Sequence, residues 1–350
     1  MSRAVFAIPG DRDQRTGGTI YDATVLRHLN TLGHATDHLQ LPDSFPDPSD
    51  SDMQRTFDAL AAVPRSRPII VDGLALGALD PERMATIAAP VVGMVHHPLG
   101  LESGLAPDRA RALLQNETEV LRHAAHVIVP SEHVAETVIC DLCVPRGKVT
   151  VARPGFRQRP EAVGRDARKA TPPLILSVGL LARRKGHDVL LEGLARLTDL
   201  DWQAEIVGKA HDPEFAEALR RQAAALGLED RVRFAGEVGA AGLEEAYGRA
   251  HVFTLATRYE GYGMVLSEAM VHGLPVVSCR VGAVPETVGE AGLLVPPDDP
   301  EALAGALRSL LGSRDLAAQY ARAARDRAAA LPGWDHTAGV FADVLERIAP

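Results

Sequence analysis

The chain has few cysteines and no excess of basic residues, and each shortage excludes a class of protein. Its three cysteines, Cys140, Cys143 and Cys279, are too few for a disulfide framework and indicate a reducing compartment. Cys140 and Cys143 form a C-x-x-C pair with no second pair of Cys or His nearby, so we interpret them as two small residues on one helix face rather than a zinc site. The net charge of −9 argues against a dedicated nucleic-acid-binding protein.

Long apolar runs are also missing, which excludes a membrane-spanning segment. The short apolar run at the start ends at Pro9-Gly10-Asp11, too early for a signal peptide, and we therefore expect a cytoplasmic protein. What is present is ordinary for a globular chain, with 46% hydrophobic and 24% charged residues. A length of 350 residues is enough for two domains.

Strand-like and helix-like segments alternate along the whole chain, which predicts parallel sheets with helices on both faces. A polar, basic stretch at 157–172 interrupts the alternation and is the predicted linker. The predicted strands are 4–8, 68–71, 91–95, 126–129 and 149–152 before it, and 174–178, 203–207, 232–235, 251–256 and 275–278 after it. Helices are predicted at 19–32, 187–197, 213–226 and 265–272.

The stretch from Glu260 to Glu268 is the most informative in the chain. It joins the apolar run 251–256 to a short helix, and its glycines place a tight turn at the start of that helix. Free backbone N–H groups and the positive end of the helix dipole suit a phosphate, while carboxylates accept hydrogen bonds from paired hydroxyls. The combination predicts a site for a sugar nucleotide.

This segment resembles the family-4 retaining glycosyltransferases, which carry two Glu residues separated by seven residues in their C-terminal domains. The resemblance is strong over residues 173–312 and weaker over the first half. Because an ordered series of segments matches at the family's spacing, the signal is specific. The matching segments are 177–179, 185–186, 260–268, 273–277, 282–286 and 292–295.

The resemblance implies the GT-B fold, an α/β fold in which two Rossmann-like domains face each other across a cleft. The expected boundaries are 1–156 for an acceptor-binding domain, 157–172 for the linker and 173–331 for a donor-nucleotide-binding domain. Residues 332–350 are expected to form a helix that crosses back to the first domain. Ligands of open α/β sheets lie beyond the carboxyl ends of the strands, so we expect the active site in the cleft.

Lys185 is the second candidate for chemistry, because a compact ammonium can neutralise the charge that grows on a leaving diphosphate. The resemblance assigns that work to the Lys before Gly186. Many relatives also have an Arg directly after the glycine that ends the strand, where this chain has Leu180. A second positive contact must then come from Arg184 or Arg183, or be missing, and we expect Arg184 to supply it.

Two further candidates lie in the first half of the chain. Gly17 and Gly18 open the first helix, where paired glycines let a backbone approach a ligand closely. His96 follows the strand 91–95 at a position where the family often has a His that orients hydroxyls and stabilises the transition state. Neighbouring residues leaving a strand point in opposite directions, so we expect only one of His96 and His97 to face the cleft.

Other family-matched positions are interpreted as structural. Ser131 and Glu286 are expected to cap helices or shape loops. The Asp-rich stretch 47–52 contains an Asp-x-Asp, which transferases of a different fold use to hold a cation. We interpret it as a solvated loop with no strand before it, and we expect no metal site.

The sequence thus predicts a metal-independent retaining hexosyltransferase that uses a nucleotide-diphosphate sugar, UDP- or GDP-linked, and no further cofactor. By resemblance, Glu268 would hold the ribose, Glu260 the donor sugar and Lys185 the leaving phosphate. The backbone amides of Gly261, Tyr262, Gly263, Met264 and Val265 would contact the sugar and diphosphate. The acceptor, a lipid, a saccharide or a small molecule, is not readable, and peripheral membrane contact stays open. The alternatives are a nucleotide-sugar epimerase or phosphorylase, or a non-catalytic sugar-nucleotide-binding protein.

Overall fold

The computed structural model describes residues 4–12, 14, 16–157 and 169–349, and the chain divides into two compact units. The first unit contains Met1–Gly155 and Pro332–Pro350, and the second contains Phe156–Leu331. The division falls at the start of the predicted linker 157–172, of which residues 158–168 lie outside the described residues. Residues 332–350 group with the first unit.

The first unit is built on a parallel sheet of six strands in the order β2-β1-β3-β4-β5-β6. Its central strands are buried on both faces, as expected where helices cover a parallel sheet. The strands are β1 (Ala4–Pro9), β2 (Thr36–Leu41), β3 (Ile69–Asp72), β4 (Val91–Met94), β5 (His126–Val129) and β6 (Val149–Val151).

The helices of this unit begin at residues that are typical of helix N-termini. Thr16, Ser49, Asp72, Asp80 and Ser131 each accept a hydrogen bond from a backbone N–H in the first turn of the helix that follows. The helices are α1 (Gly17–Thr31), α2 (Asp50–Ala61), α3 (Gly73–Leu76), α4 (Pro81–Met84), α5 (Pro107–Arg122) and α6 (Glu132–Cys140).

The second unit repeats the architecture, with six parallel strands in the order β12-β11-β10-β7-β8-β9. These strands are β7 (Leu174–Val178), β8 (Gln203–Val207), β9 (Val232–Gly236), β10 (Val252–Leu255), β11 (Val276–Cys279) and β12 (Gly292–Val295). The helices are α7 (His187–Ala195), α8 (Pro213–Ala225), α9 (Ala240–Arg249), α10 (Met264–Val271), α11 (Val284–Val288), α12 (Pro300–Gly312) and α13 (Arg314–Ala329).

Each sheet has one point at which the strand order reverses. In the first unit the chain runs from β1 out to β2 and then returns to place β3 on the other side of β1. In the second unit it runs from β7 through β8 to β9 and returns to place β10 beside β7. Because the loops diverge at such a point, a crevice opens there at the carboxyl edge of the sheet.

The last helix, α14 (Trp334–Ile348), packs on the first unit. Phe341 is fully buried and its ring centroid lies 6.4 Å from that of Phe6 in β1. The Thr337 hydroxyl donates to the Arg153 carbonyl at 2.8 Å. Residue 155 must be glycine, since a Cβ there would lie 2.3 Å from the Trp334 backbone nitrogen.

Two interpretations of loops and cysteines were wrong. The stretch 47–52 is not a loop without a preceding strand: β2 precedes it, Ser49 caps α2, and Asp50 and Asp52 lie in the first turn of that helix. Carboxylates in a first turn complement the helix dipole, which accounts for the acidic run. Cys140 and Cys143 do not share a helix face, because α6 ends at Cys140 and Cys143 has φ +56° beyond it.

Within the described residues, α-helices that combine the length and the apolarity needed to cross a bilayer do not occur.

Candidate active site

The two chemistry-bearing loops of the second unit lie side by side at its strand-order reversal. One loop follows β7 and carries Lys185, and the other follows β10 and carries Glu260. Because β7 and β10 are paired and parallel, both loops leave the sheet at its carboxyl edge. Topology therefore brings together residues that are 75 positions apart in the chain.

Glu260 and Lys185 form a buried ion pair. The Lys185 Nζ donates to Glu260 Oε1 at 2.6 Å, and the Thr257 hydroxyl donates to the same oxygen at 3.1 Å. Arg184 lies on the other side, with a guanidinium nitrogen 3.9 Å from Glu260 Oε2 and 3.2 Å from the Tyr259 carbonyl oxygen. Two cations thus lie on either side of one buried carboxylate.

These neighbours keep Glu260 ionised although it is buried. Burial by itself would raise the pKa of the carboxyl, but the charges of Lys185 and Arg184 and the hydrogen bonds from Lys185 and Thr257 bring that pKa below its ordinary value. Glu260 is therefore a fixed hydrogen-bond acceptor at neutral pH.

Two glycines with positive φ allow the loops to approach this closely. Gly186, at φ +65°, ends the turn that carries Lys185, and a Cβ there would lie 1.8 Å from the Ala256 carbonyl oxygen. Gly282, at φ +50°, packs on the backbone of Glu260, where a Cβ would lie 2.4 Å from its carbonyl oxygen. A side chain at either position would push the loops apart.

The turn 261–265 runs directly into α10. Gly263 adopts φ +84° at the N-cap of the helix. Because glycine has no side chain, no side chain at this position caps the first turn. The ring of Tyr262 is buried against Phe156, with 6.2 Å between centroids, and its carbonyl oxygen accepts a hydrogen bond from Thr287 at 2.5 Å. Met264 and Val265 are half-buried. The Tyr262 ring therefore anchors the turn in the core.

Glu268 lies one helical turn further along and contacts Tyr247 of α9. The Tyr247 hydroxyl donates to Glu268 Oε2 at 2.9 Å. Burial raises the pKa of Glu268, the hydrogen bond from Tyr247 lowers it, and the nearby Glu244 raises it, with a net upward shift. Tyr247 carried no signal in the sequence, because the contact joins two helices across 21 residues.

The basic turn after Leu180 directs two of its three cations toward Glu260 and the third away from it. Arg184 and Lys185 lie beside Glu260, whereas the Arg183 guanidinium carbon lies 4.9 Å above the Phe215 ring centroid. Arg183 is thus held against an apolar surface by a cation–π contact. Of the two candidates for the second positive contact, only Arg184 approaches Glu260.

In the first unit, His96 forms a cluster with two buried aspartates. His96 Nε2 lies 3.0 Å from Asp22 Oδ1, in α1, and 3.4 Å from Asp72 Oδ2, at the end of β3. These elements and β4 meet at the strand-order reversal of the first sheet. Gly18 covers the ring, since a Cβ there would lie 3.2 Å from His96 Cδ2. Gly17 has open space around the position of a Cβ.

The aspartates hold His96 as a cation. Burial lowers the pKa of the imidazole, but Asp22 and Asp72 outweigh it and raise that pKa to about 10. Burial and the neighbouring Asp72 raise the pKa of Asp22 well above its usual value, against the effect of His96, whereas hydrogen bonds and the His96 charge lower the pKa of Asp72. The cluster therefore carries a positive charge on the imidazole, and the opposite shifts of the two carboxyl pKa values favour the negative charge on Asp72 rather than on Asp22.

Asp22 and Asp72 were missed by the sequence analysis. Neither belongs to a motif, and only folding brings them to His96, across 74 residues in the case of Asp22. His97 turns the other way, with Nε2 3.2 Å from Glu102 Oε2. By distance alone, Asp22, Asp72 and His96 are the one group of three among the described residues whose ligand atoms could surround a cation.

Comparison with known proteins finds similar sequences and similar folds. Residues 172–313 match the family model of the glycosyl transferases group 1. The chain is 33% identical over 263 residues to the D-inositol 3-phosphate glycosyltransferase of Streptomyces avermitilis, a match that covers 70% of this chain and 56% of the relative. The chain thus spans just over half the length of this curated relative.

Solved structures match over almost the whole chain. Sucrose-phosphate synthase from Thermosynechococcus elongatus superposes with a TM-score of 0.84 at 23% identity, covering 99% of both chains. The Anabaena protein HepE, solved in complex with UDP-glucose, superposes with a TM-score of 0.79 at 18% identity, covering 99% of this chain and 100% of HepE. At such identities the likeness establishes the fold. Residues 172–313 therefore resemble the glycosyl transferases group 1 family, and the chain has the GT-B fold.

Proposed function

We propose that the protein transfers a hexose from a nucleotide-diphosphate sugar to a hydroxyl acceptor with retention of configuration. The observation that carries the proposal is the Lys185–Glu260 pair at the strand-order reversal of the second sheet, with Glu268 one helical turn from the adjoining glycine turn. The proposal is supported because a cation, two carboxylates and a helix N-terminus without a side-chain cap are the kinds of group that bind a diphosphate, a hydroxylated sugar and a ribose.

Each group has a proposed role in binding the donor. Glu268 accepts hydrogen bonds from the ribose hydroxyls, and Glu260 from hydroxyls of the donor sugar. The backbone amides of 261–265 hold the sugar and diphosphate. Lys185 neutralises the leaving phosphate, and Arg184 adds a second positive charge.

The proposed reaction takes place on one face of the sugar. The bond from the anomeric carbon to the diphosphate oxygen breaks, and the acceptor oxygen bonds to the same face as its proton passes to the leaving phosphate. Lys185 stabilises the charge that develops on that phosphate, which is the main electrostatic demand of the step. NMR of the product would show the anomeric configuration of the donor; an inverted anomer would overturn this mechanism.

The first unit has a proposed role toward the acceptor and the reacting sugar. His96, held as an imidazolium by Asp22 and Asp72, donates a hydrogen bond that orients a hydroxyl and stabilises the transition state. Gly17 and Gly18 leave backbone exposed for a phosphate or a hydroxyl. The acceptor class stays open between lipid, saccharide and small molecule, and we include inositol phosphates in the first panel because of the curated relative's name. A lipid acceptor would bring with it peripheral membrane contact from the cytoplasm.

We further propose that transfer requires no metal ion, since Lys185 and Arg184 supply the positive charge that a cation would otherwise place on the diphosphate. The activity should survive excess EDTA. Loss of activity with EDTA and recovery with one divalent metal would contradict this, and it would direct attention to Asp22, Asp72 and His96.

The experiment that tests the proposal is a thermal-shift titration with UDP, GDP, ADP and dTDP, without added metal. We expect one diphosphate to raise the melting temperature of the wild-type protein and to have a much weaker effect on Lys185→Met and Glu268→Gln. Radiolabelled sugars of the matching nucleotide would then be tested with the acceptor panel. Folded protein with no shift from any nucleotide would overturn the proposal, and turnover that needs inorganic phosphate would favour a phosphorylase.

A further inference from the structure

Tyr247 donates a hydrogen bond to Glu268, the carboxylate that is proposed to bind the ribose. Its hydroxyl donates to Glu268 Oε2 at 2.9 Å and lies 3.3 Å from the Val265 carbonyl oxygen. Tyr247 is fully buried, whereas Glu268 is half-buried, so its carboxylate stands between the core and solvent. The Tyr247 contact is the one side-chain hydrogen bond to this carboxylate within the described ranges.

The ring of Tyr247 has little freedom to move. It stacks on His272 with 4.6 Å between centroids and 19° between planes, and on Phe253 of β10 with centroids 6.0 Å apart. His272 is itself fixed at both nitrogens: Nδ1 lies 2.8 Å from the Glu268 carbonyl oxygen and Nε2 lies 3.1 Å from Glu244 Oε2. The packing of the ring therefore fixes the position of the Tyr247 hydroxyl.

The same contact favours the ionised form of Glu268. Burial raises the pKa of this carboxyl and Glu244 raises it further, while the Tyr247 hydrogen bond lowers it. An ionised carboxylate accepts hydrogen bonds from two hydroxyls at once, whereas a protonated one must use part of its capacity as a donor.

We propose that Tyr247 is a positioning residue that fixes the rotation of the Glu268 carboxylate and thereby makes the site selective for ribonucleotides over 2′-deoxyribonucleotides. This inference rests on the proposed function, because it takes the nucleotide to bind at Glu268. With Oε2 tied to Tyr247, the plane of the carboxylate is set, and its remaining acceptor positions face a pair of neighbouring hydroxyls in one orientation. A deoxyribose leaves one of those positions unpaired, which weakens binding once the bound nucleotide covers the carboxylate.

The test compares matched pairs of ligands by isothermal titration calorimetry: UDP with 2′-deoxy-UDP, GDP with 2′-deoxy-GDP, and ADP with 2′-deoxy-ADP. The variant is Tyr247→Phe, which keeps the ring and its stacking and removes only the hydroxyl. For the nucleotide that binds, we expect the wild type to prefer the ribo form by roughly tenfold or more. In Tyr247→Phe that ratio should fall to about threefold or less, mainly through weaker binding of the ribo form.

Ser278→Ala is the matched control, because it also removes a buried hydroxyl. The Ser278 hydroxyl lies in β11 and donates to the Leu255 carbonyl of β10 at 2.8 Å. It should keep the wild-type ratio, and comparable melting temperatures of the two variants would show that ribose selection is separate from stability. Glu268→Gln, which leaves Tyr247 intact, should lose the ratio as Tyr247→Phe does.

A pH series adds a readout that a structural role would not move. Removing the hydroxyl takes away a cause that lowers the pKa of Glu268, so the ribo preference left in Tyr247→Phe should disappear at a higher pH than in the wild type as the pH is lowered.

A wild-type ratio retained in Tyr247→Phe or in Glu268→Gln would overturn the inference while leaving the proposed function in place. Equal binding of ribo and deoxy forms by the wild type would also overturn it. Absence of any nucleotide binding by folded wild-type protein would instead overturn the proposed function, and the inference with it.

Discussion

Glu260 is more deeply embedded than its place in a loop indicates. The sequence predicts that a loop carboxylate has little packing role, so that Glu260→Gln would cost activity far more than stability. The structure contradicts the premise, because Glu260 is buried and its Oε1 receives both Lys185 and Thr257. Removing one partner of a buried ion pair leaves the other charge uncompensated.

We therefore expect Glu260→Gln to lower both activity and the free energy of unfolding, the latter by up to about 3–5 kcal/mol. The double variant Glu260→Gln with Lys185→Met should lose less stability than the sum of the two single variants, since it removes both charges. Urea unfolding of the four proteins measures this coupling. Additive losses would show that the pair contributes no interaction energy to the fold.

Glu117 in α5 is a buried carboxyl away from the proposed chemistry. Its Oε2 accepts a hydrogen bond from the Leu99 backbone at 2.9 Å, and its Oε1 is buried without a hydrogen-bond partner in the described part of the chain. Burial raises the pKa of Glu117 to about 8, against a smaller lowering by the Leu99 N–H. The folded protein thus keeps this carboxyl protonated in a range where the unfolded chain loses the proton.

The raised pKa of Glu117 makes the stability of the protein depend on pH. A raised folded pKa contributes stability that is full below the ordinary value of 4.5 and is lost as the pH rises toward 8. Glu117→Gln has no such loss, so its stability relative to wild type should improve between pH 5 and pH 8 by about 1.4 kcal/mol for each pH unit. Urea unfolding at both pH values measures the difference. A difference independent of pH would contradict the raised pKa.

At the scale of elements, the site depends on two strand-to-helix loops that only glycine lets approach. Gly186 at φ +65° closes the turn Arg183–Lys185 before α7 and lies against the Ala256 backbone. A Cβ there would clash with the Ala256 carbonyl oxygen of the other loop. Relief of this clash would move the two loops apart and lengthen the contact between Lys185 and Glu260.

Gly186→Ala should lower the free energy of unfolding by roughly 2–4 kcal/mol, from left-handed backbone strain and the clash with Ala256, and should weaken nucleotide binding. Gly305→Ala is the control, since it lies inside α12 with open space around its Cβ. That change should stabilise the protein by up to about 1 kcal/mol. Equal stabilities of the two variants would show that the turn around Gly186 adapts without cost.

At the scale of the whole molecule, each unit has its own sheet and its own strand-order reversal. Candidate residues gather at both reversals: Lys185 and Glu260 at one, and His96 with Asp22 and Asp72 at the other. A ligand that binds a native unit protects its backbone amides from exchange wherever it suppresses local opening.

With saturating nucleotide, we expect hydrogen exchange to slow most in residues 179–186 and 256–268 of the second unit. The measurement is exchange mass spectrometry with and without the nucleotide chosen by thermal shift. Ser278→Ala serves as a control variant with an intact site. Slowing confined to the first unit would contradict the proposed placement of the donor.

Much of the fold is predictable from the sequence, since buried strands of a parallel sheet are short apolar runs. The strands at 126–129, 174–178 and 203–207 have the predicted bounds. The edge strand β2 escaped because its sequence, Thr36 to Leu41, is largely polar: it pairs with β1 on one side, and several of its side chains are exposed. Edge strands lack the two-sided burial that makes an apolar run.

Some residues of the candidate site are likewise predictable from the sequence, and others are not. Glu260, Glu268 and Lys185 belong to local motifs, where glycines and helix signals lie next to the charged residue in the chain. Asp22, Asp72 and Tyr247 belong to no motif and become partners of His96 and Glu268 only through contacts between separate elements.

By itself, then, the sequence determined the alternation of strands and helices and the glycine turn between two carboxylates, because both depend on residues that are neighbours in the chain. Only the tertiary structure decided that Lys185 pairs with Glu260, that two aspartates hold His96 as a cation and that Tyr247 donates a hydrogen bond to Glu268. The physical reason is that burial and charge pairing act between side chains across space, and strand order sets which loops meet.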